Sequence, residues 1–255
     1  MTVSLDFLPQ TVITFLLIFA RLGTMLMLMP GFGAGGIPPR IRLGLALSVA
    51  FLMYPLISAL YPPLPQTVEG IAFLLGHELA VGLILGGTAR LLLSAAQVAG
   101  ATIAYQTGLS FAQTADPSQD GIQGAIIGNF IGVLGIALIF ATDLHHLVLA
   151  GIYGSYTAFT PTADLMLGDA AQLALQVVRD SFVVGVQMAA PFIVFGLVFY
   201  LGLGLLSRLM PQIQVFFIAM PANIIVGFIL FALLLTMMMG WYLGHVETHL
   251  MDLVR

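Results

Sequence analysis

The chain has no cysteine and no lysine, and only seven per cent of its 255 residues are charged. Without cysteine it can form no disulfide, no thiolate nucleophile and no cysteine-ligated iron–sulfur cluster. With arginine as its only basic residue type and no run of them, it has no polybasic segment for anionic lipid or nucleic acid. The charge is roughly a quarter of what a soluble domain carries. Sixty per cent of the residues are hydrophobic, so a wet surface over this length is excluded, and a soluble enzyme with it. The first ten residues carry Asp6 and no positive charge, and Arg21 interrupts the apolar run that follows, so a cleaved signal peptide is not expected.

What the chain has instead is length without charge. Residues 209–244 run for 36 positions without Asp, Glu, Arg or Lys, well beyond the ~20 residues that span a bilayer core. Gln212, Gln214 and Asn223 distinguish this stretch from a simple lipid anchor. Pro221 leaves a carbonyl of the preceding turn without its partner, and hydrocarbon does not tolerate bare backbone. The segment therefore needs protein neighbours, and the chain belongs in a membrane assembly.

Apolar runs suited to spanning occur at about 11–29, 43–60, 71–93, 122–142, 181–206 and, within this stretch, 213–243, with a shorter one at about 144–159. The linkers are rich in glycine and proline: Pro30, Gly31, Gly33, Gly35, Gly36, Pro38 and Pro39, then Pro62, Pro63 and Pro65. Arg40, Arg42 and Arg90 at run ends favour a cytoplasmic position for those ends and an outside N-terminus. No internal repeat is evident. Residues 91–115 carry no charge but many small or amide side chains, among them Ala95, Gln97, Ala99, Gly100, Gln106, Gly108 and Gln113. Close helix packing is the commoner use of such a stretch, and a conduit lining is the alternative. Asp116-Pro117-Ser118-Gln119-Asp120-Gly121 reads as a turn.

No catalytic motif is complete. His77-Glu78 begins a helical zinc motif, but position 81 is Val where the second histidine would stand. There is no Gly-x-Ser-x-Gly elbow. Asp143, His145 and His146 could relay protons or hold a metal, although a polar helix end is the commoner explanation. Met25, Met27 and Met29 resemble copper-site spacing, yet methionine mostly fills gaps. Arg21 and Arg179-Asp180 are costly in hydrocarbon and need partners; Glu69, Glu78 or Asp180 could pair with Arg21. Gly82-x3-Gly86 and Gly128-x3-Gly132 permit close helix contact.

Four segments, in order, resemble one family, the FliR/SctT family of type III export-apparatus subunits. They are Arg21 with Pro30 and Ile37-Pro38-Pro39-Arg40-Ile41-Arg42-Leu43-Gly44-Leu45, then Tyr105-Gln106-Thr107-Gly108-Leu109-Ser110-Phe111-Ala112 with Asp116-Pro117. Ala190-Pro191 and Gly202-Leu203-Gly204-Leu205-Leu206-Ser207-Arg208-Leu209-Met210-Pro211-Gln212 follow, with Val215-Phe216 and Pro221 after them. The resemblance implies an all-α polytopic membrane protein of broken helical hairpins, wound with FliP-like and FliQ-like subunits and an FlhB-like subunit into a pore-forming export gate. It implies one domain over 1–255, a place in the bacterial inner membrane at the flagellar basal body, and passage of unfolded protein substrates. It further implies that Tyr105, Gln106, Gly108, Phe111, Asp116 and Pro117 belong to a plug that closes the channel. Arg21, Pro30, Arg40, Arg42, Pro191, Arg208, Pro211, Gln212, Phe216 and Pro221 would serve structure and assembly.

The reading is a flagellar export-gate subunit that is not an enzyme and needs no cofactor and no metal. An injectisome subunit of the same family is the nearest alternative. A small-molecule or ion transporter using Arg21, Asp143, His145 and Arg179 is a rival of a different class; it should show paired repeats of broken helices.

Overall fold

The structure, a computed structural model, describes residues 10–29, 31–32, 37–65, 67–110, 125–161, 167–210 and 215–254. Helices account for nearly all of it, and no strand occurs among the described residues. In chain order they are α1 (Gln10–Leu28), α2 (Pro39–Ile57), α3 (Val68–Leu91), α4 (Ser94–Gln106), α5 (Ala125–Ala141), α6 (Leu144–Ala158), α7 (Leu167–Leu209) and α8 (Val215–Val254). Five helical stretches are long and apolar enough to cross a membrane, or six if the bent pair α5–α6 counts as one span. The all-α membrane architecture expected from the apolar runs is the one observed.

Local chemistry accounts for several helix ends. Pro39 opens α2 at a position whose N–H would have no helical partner. Thr67 caps α3, its hydroxyl accepting from the Gly70 N–H at 3.3 Å. Glu69 lies in the first turn of α3 and Arg90 in its last, each matched to the helix dipole.

The helices outrun the apolar stretches. The run read at 181–206 is the centre of α7, which begins at Leu167 and passes through Arg179-Asp180. The run at 213–243 lies in α8, which continues past His245 and Glu247 to Val254. The short run near 144–159 is a helix in its own right. Pro55, Pro191 and Pro221 all lie inside helices. The expected break at Pro221 is thus a missing backbone bond within a continuous helix. Pro55 and Pro221 are on exposed faces, where a neighbour can cover the freed carbonyl.

The chain divides into two compact units. One comprises residues 1–92, 140–177 and 247–255; the other comprises 93–139 and 178–246. The core of the first packs α1, α2, α3 and α6 around Leu17, Ile18, Leu22, Met25, Ala50, Val81, Leu85 and Ile152. Met25 and Met29 are buried in it as apolar filler, which is the use expected over a copper site. Gly82 and Gly86 set the α1–α3 spacing. A Cβ on Gly82 would stand 2.6 Å from the Arg21 carbonyl oxygen, and one on Gly86 2.8 Å from that of Met25. In the second unit Gly100 of α4 lies against Gly128 of α5, with Ala95, Ala96, Ala99 and Ala104 buried alongside. The charge-free stretch through α4 therefore packs helix to helix, as small residues do. Gly132 meets nothing, so only half of the second glycine pair is used.

Candidate functional site

Two buried polar arrangements stand out, one in each unit. In the first, Arg21 is completely buried in the middle of α1. Its partner is Glu78 of α3. Nε donates to Oε2, and Nη2 donates to Oε1 at 3.1 Å, a two-pronged pairing. Nη1 donates to the Ser155 carbonyl at 3.0 Å and Nη2 to that of Phe159 at 2.9 Å. Those carbonyls lie at the C-terminal end of α6, where the dipole favours a cation; that of Ser155 also accepts the Phe159 N–H at 2.9 Å. The Tyr156 ring stacks against the guanidinium, its centroid 4.1 Å from Cζ. Of the three acids considered for Arg21, the fold selects Glu78, which occupies the same face of α3 as Gly82 and Gly86, one and two turns on.

This arrangement has little chemistry to offer. Four of the five guanidinium N–H groups are occupied. Glu78 is fully buried and committed, with His77 Nδ1 3.9 Å from its Oε1. Asp143 and His145 belong to the opposite end of α6, about 20 Å away by helical rise, so the grouping a transporter would need is not assembled. Arg179 is exposed and forms no ion pair among the described residues.

The second arrangement holds the start of the glycine–glutamine loop. Helix α4 ends at Gln106. Gly108 follows with φ +74°, a left-handed conformation that a glycine adopts freely, and its N–H donates to the Tyr105 carbonyl at 3.2 Å. The carbonyl of Gln106, facing out of the helix end, accepts from Nδ2 of Asn223 on α8 at 3.3 Å. Asn223 is buried, and its Oδ1 has no hydrogen-bond partner. One turn on, Gly227 makes room for the Thr107 side chain, which a Cβ would strike. Gly196 of α7 does the same for the Gln106 amide. The same unit contains a buried hydrogen bond between Ser181 Oγ and His245 Nε2 at 3.0 Å.

Of the expected loop residues, Gln106 and Gly108 are in this clamp and Tyr105 is exposed beside it. Phe111, Asp116 and Pro117 lie outside the described residues, as do Pro30, Pro211 and Gln212; Phe216 is in the first turn of α8. Arg40 and Arg208 are exposed at helix ends, Arg42 Nε donates to the Ile37 carbonyl at 3.1 Å, and Pro191 is half-buried within α7. The Ser155 and Phe159 carbonyls have no side-chain signature in the sequence. Asn223 had one: an amide in a charge-free run, four residues before a glycine.

The region matched by the family described as bacterial export proteins, family 1, covers residues 12–249. The chain belongs to that family. It is 47% identical to the flagellar biosynthetic protein FliR of Caulobacter vibrioides over 220 residues, 86% of this chain and 87% of the relative. It is 33% identical to the protein of the same name from Bacillus subtilis, over 85% and 83% of the two chains. The Yop proteins translocation protein T of Yersinia pestis is 24% identical over 92% and 90%. Membership carries the chain into bacterial protein export, and the apolar helices give it a membrane location.

Proposed function

We propose that this protein is a subunit of the flagellar type III export gate, in the bacterial inner membrane at the basal body. The whole chain, 1–255, serves as one gate domain beside FliP-like, FliQ-like and FlhB-like subunits. Together they form a conduit for unfolded export substrates. Its role is structural, and the driving force comes from partners and the proton gradient.

The observation that carries this reading is the 47% identity to a flagellar biosynthetic protein over 86% of the chain. The injectisome reading rests on a likeness of 24% and ranks second. The fold supports an assembled state. Only 11% of the apolar window of α8 is buried within the chain, against 50% for α1, and Pro221 on α8 leaves a backbone acceptor needing cover. Within the gate, the loop from Tyr105 to Gly121 closes the conduit, and Asn223 holds its first turn. Phe111 supplies the bulky apolar group, since narrow hydrophobic constrictions exclude water and ions.

Purification of a tagged copy from native membranes tests this reading. Discrete FliP-like and FliQ-like subunits should accompany it. A stable oligomer of this chain alone, free of such partners, would refute it.

A further inference from the structure

The break between α5 and α6 carries a group of side chains that the export role does not use. Asp143, His145 and His146 each offer one ligand atom, and the three atoms lie within 4.8 Å of one another. Spacing along the chain is equally consistent with an ordinary polar helix end. The backbone at Asp143 is less usual. It has φ 60° and ψ 10°, the only non-glycine residue with positive φ among those described. Such a conformation costs about 1–2 kcal/mol, although Asp is among the residues that adopt it most readily.

An aspartate at this position ordinarily caps the helix, its carboxylate accepting an N–H of the first turn. Here it makes no cap bond. The His146 N–H is taken instead by the Asp143 backbone carbonyl at 3.0 Å. The carboxylate is thereby released, and its Oδ1 lies 3.9 Å from His146 Nδ1. That separation is too long for a hydrogen bond and near the spacing of two ligands on one ion. In a tetrahedral site with bonds of about 2.0–2.1 Å, ligand atoms stand about 3.3 Å apart. His145 stacks on His146 with ring centroids 4.2 Å apart, and is backed by Phe140 at 5.3 Å. Its Nδ1 is enclosed and has no hydrogen-bond partner.

From this geometry we infer that Asp143, His145 and His146 form a binding site for a divalent transition-metal cation. Two imidazoles and one carboxylate suit zinc, nickel or cobalt, whereas magnesium and calcium prefer all-oxygen sets. Three protein ligands leave one position for water. Closure needs the ligand atoms to draw together by up to about 1.5 Å, from side chains of which two are largely exposed, with Asp143 and His146 at 78% and 68%. A bound ion would pin the turn that joins α5 to α6 and offset the unfavourable backbone of Asp143. This assignment is independent of the export-gate reading.

Cobalt binding to the full chain tests it, using protein purified without a polyhistidine tag in detergent or within its complex. One cobalt ion per chain should bind, with a visible absorption band that zinc abolishes. His146→Gln and Asp143→Asn should each weaken binding at least about tenfold, as loss of one of three ligands demands. Both side chains are exposed, so elution profile and assembly yield should match the parent. If the histidine variant does not assemble, Asp143→Asn, which keeps size and shape, decides the question. Absence of stoichiometric binding overturns the proposal. So does equal affinity in Asp143→Asn, which would mark the ion as adventitious and held elsewhere.

Discussion

The two units of this chain bury polarity in opposite ways. In one, Arg21 and Glu78 bring full charges into an apolar core and satisfy them almost completely, with a two-pronged pairing, two helix-end carbonyls and an aromatic ring. In the other, Asn223 is neutral, makes one bond of 3.3 Å to the loop base, and keeps an unused acceptor. Opening the first would strand a charge in a medium that cannot solvate it. Opening the second exchanges one neutral hydrogen bond, with a net worth of about 1 kcal/mol. A saturated ionic knot suits a scaffold. A single amide bond at the start of a loop suits the plug proposed for it.

That contrast breaks most visibly at Glu78. Glu78→Ala should cost about 3–5 kcal/mol by leaving Arg21 buried and unpaired, and the protein should be degraded before assembly. Replacing both charges, as in Arg21→Met with Glu78→Leu, should restore much of the yield, because a packed apolar pair needs no solvation. Immunoblots of membrane fractions provide the readout. A double variant as scarce as Glu78→Ala would show that the knot does more than hold three helices.

A smaller effect is expected at the glycine seam. Gly82→Ala places a methyl group against the Arg21 carbonyl and should cost about 1–3 kcal/mol by overpacking. Thermal unfolding of the purified chain should shift downward, and an unchanged transition would mean that the α1–α3 contact is looser than described.

The clamp comes next in size. Asn223→Ala removes one bond worth about 1 kcal/mol, so complexes should still assemble at near-parental yield. The loop base should become more accessible, measured as faster amide exchange at Thr107 and Gly108. Unaltered exchange would separate Asn223 from the loop. Smallest of all is Arg208→Ala, at the exposed C-terminal end of α7, where the guanidinium complements the helix dipole. It should lower complex yield modestly, and Arg208→Lys should lie between. Full yield in the alanine variant would remove Arg208 from the assembly residues.

Much of the fold was legible because a bilayer imposes long apolar runs, and each run has a helix among the described residues, although the one at 122–142 is long enough to span only together with α6. Helix limits were not legible. A helix continues wherever its backbone bonds continue, and α7 passes through Arg179-Asp180 without regard to their charge. That Arg21 required a partner was plain from its place in an apolar run. The choice of Glu78 was present in a weaker form: Glu78, Gly82 and Gly86 recur every four residues, and the glycines mark the face that α1 approaches. Asn223 and Gly227 repeat that pattern on α8. Carbonyls such as those of Ser155 and Phe159 leave no trace in a sequence, because every residue carries one.

Ion leak through assembled complexes tests the central claim most directly. Native complexes bearing Phe111→Ala, or lacking residues 110–114, can be compared with the parent in sealed vesicles loaded with potassium or a small dye. If this chain closes an export conduit through its loop, both variants should assemble normally and leak faster than the parent. Intact complexes with parental permeability would contradict that account and leave Phe111 as an ordinary packing residue.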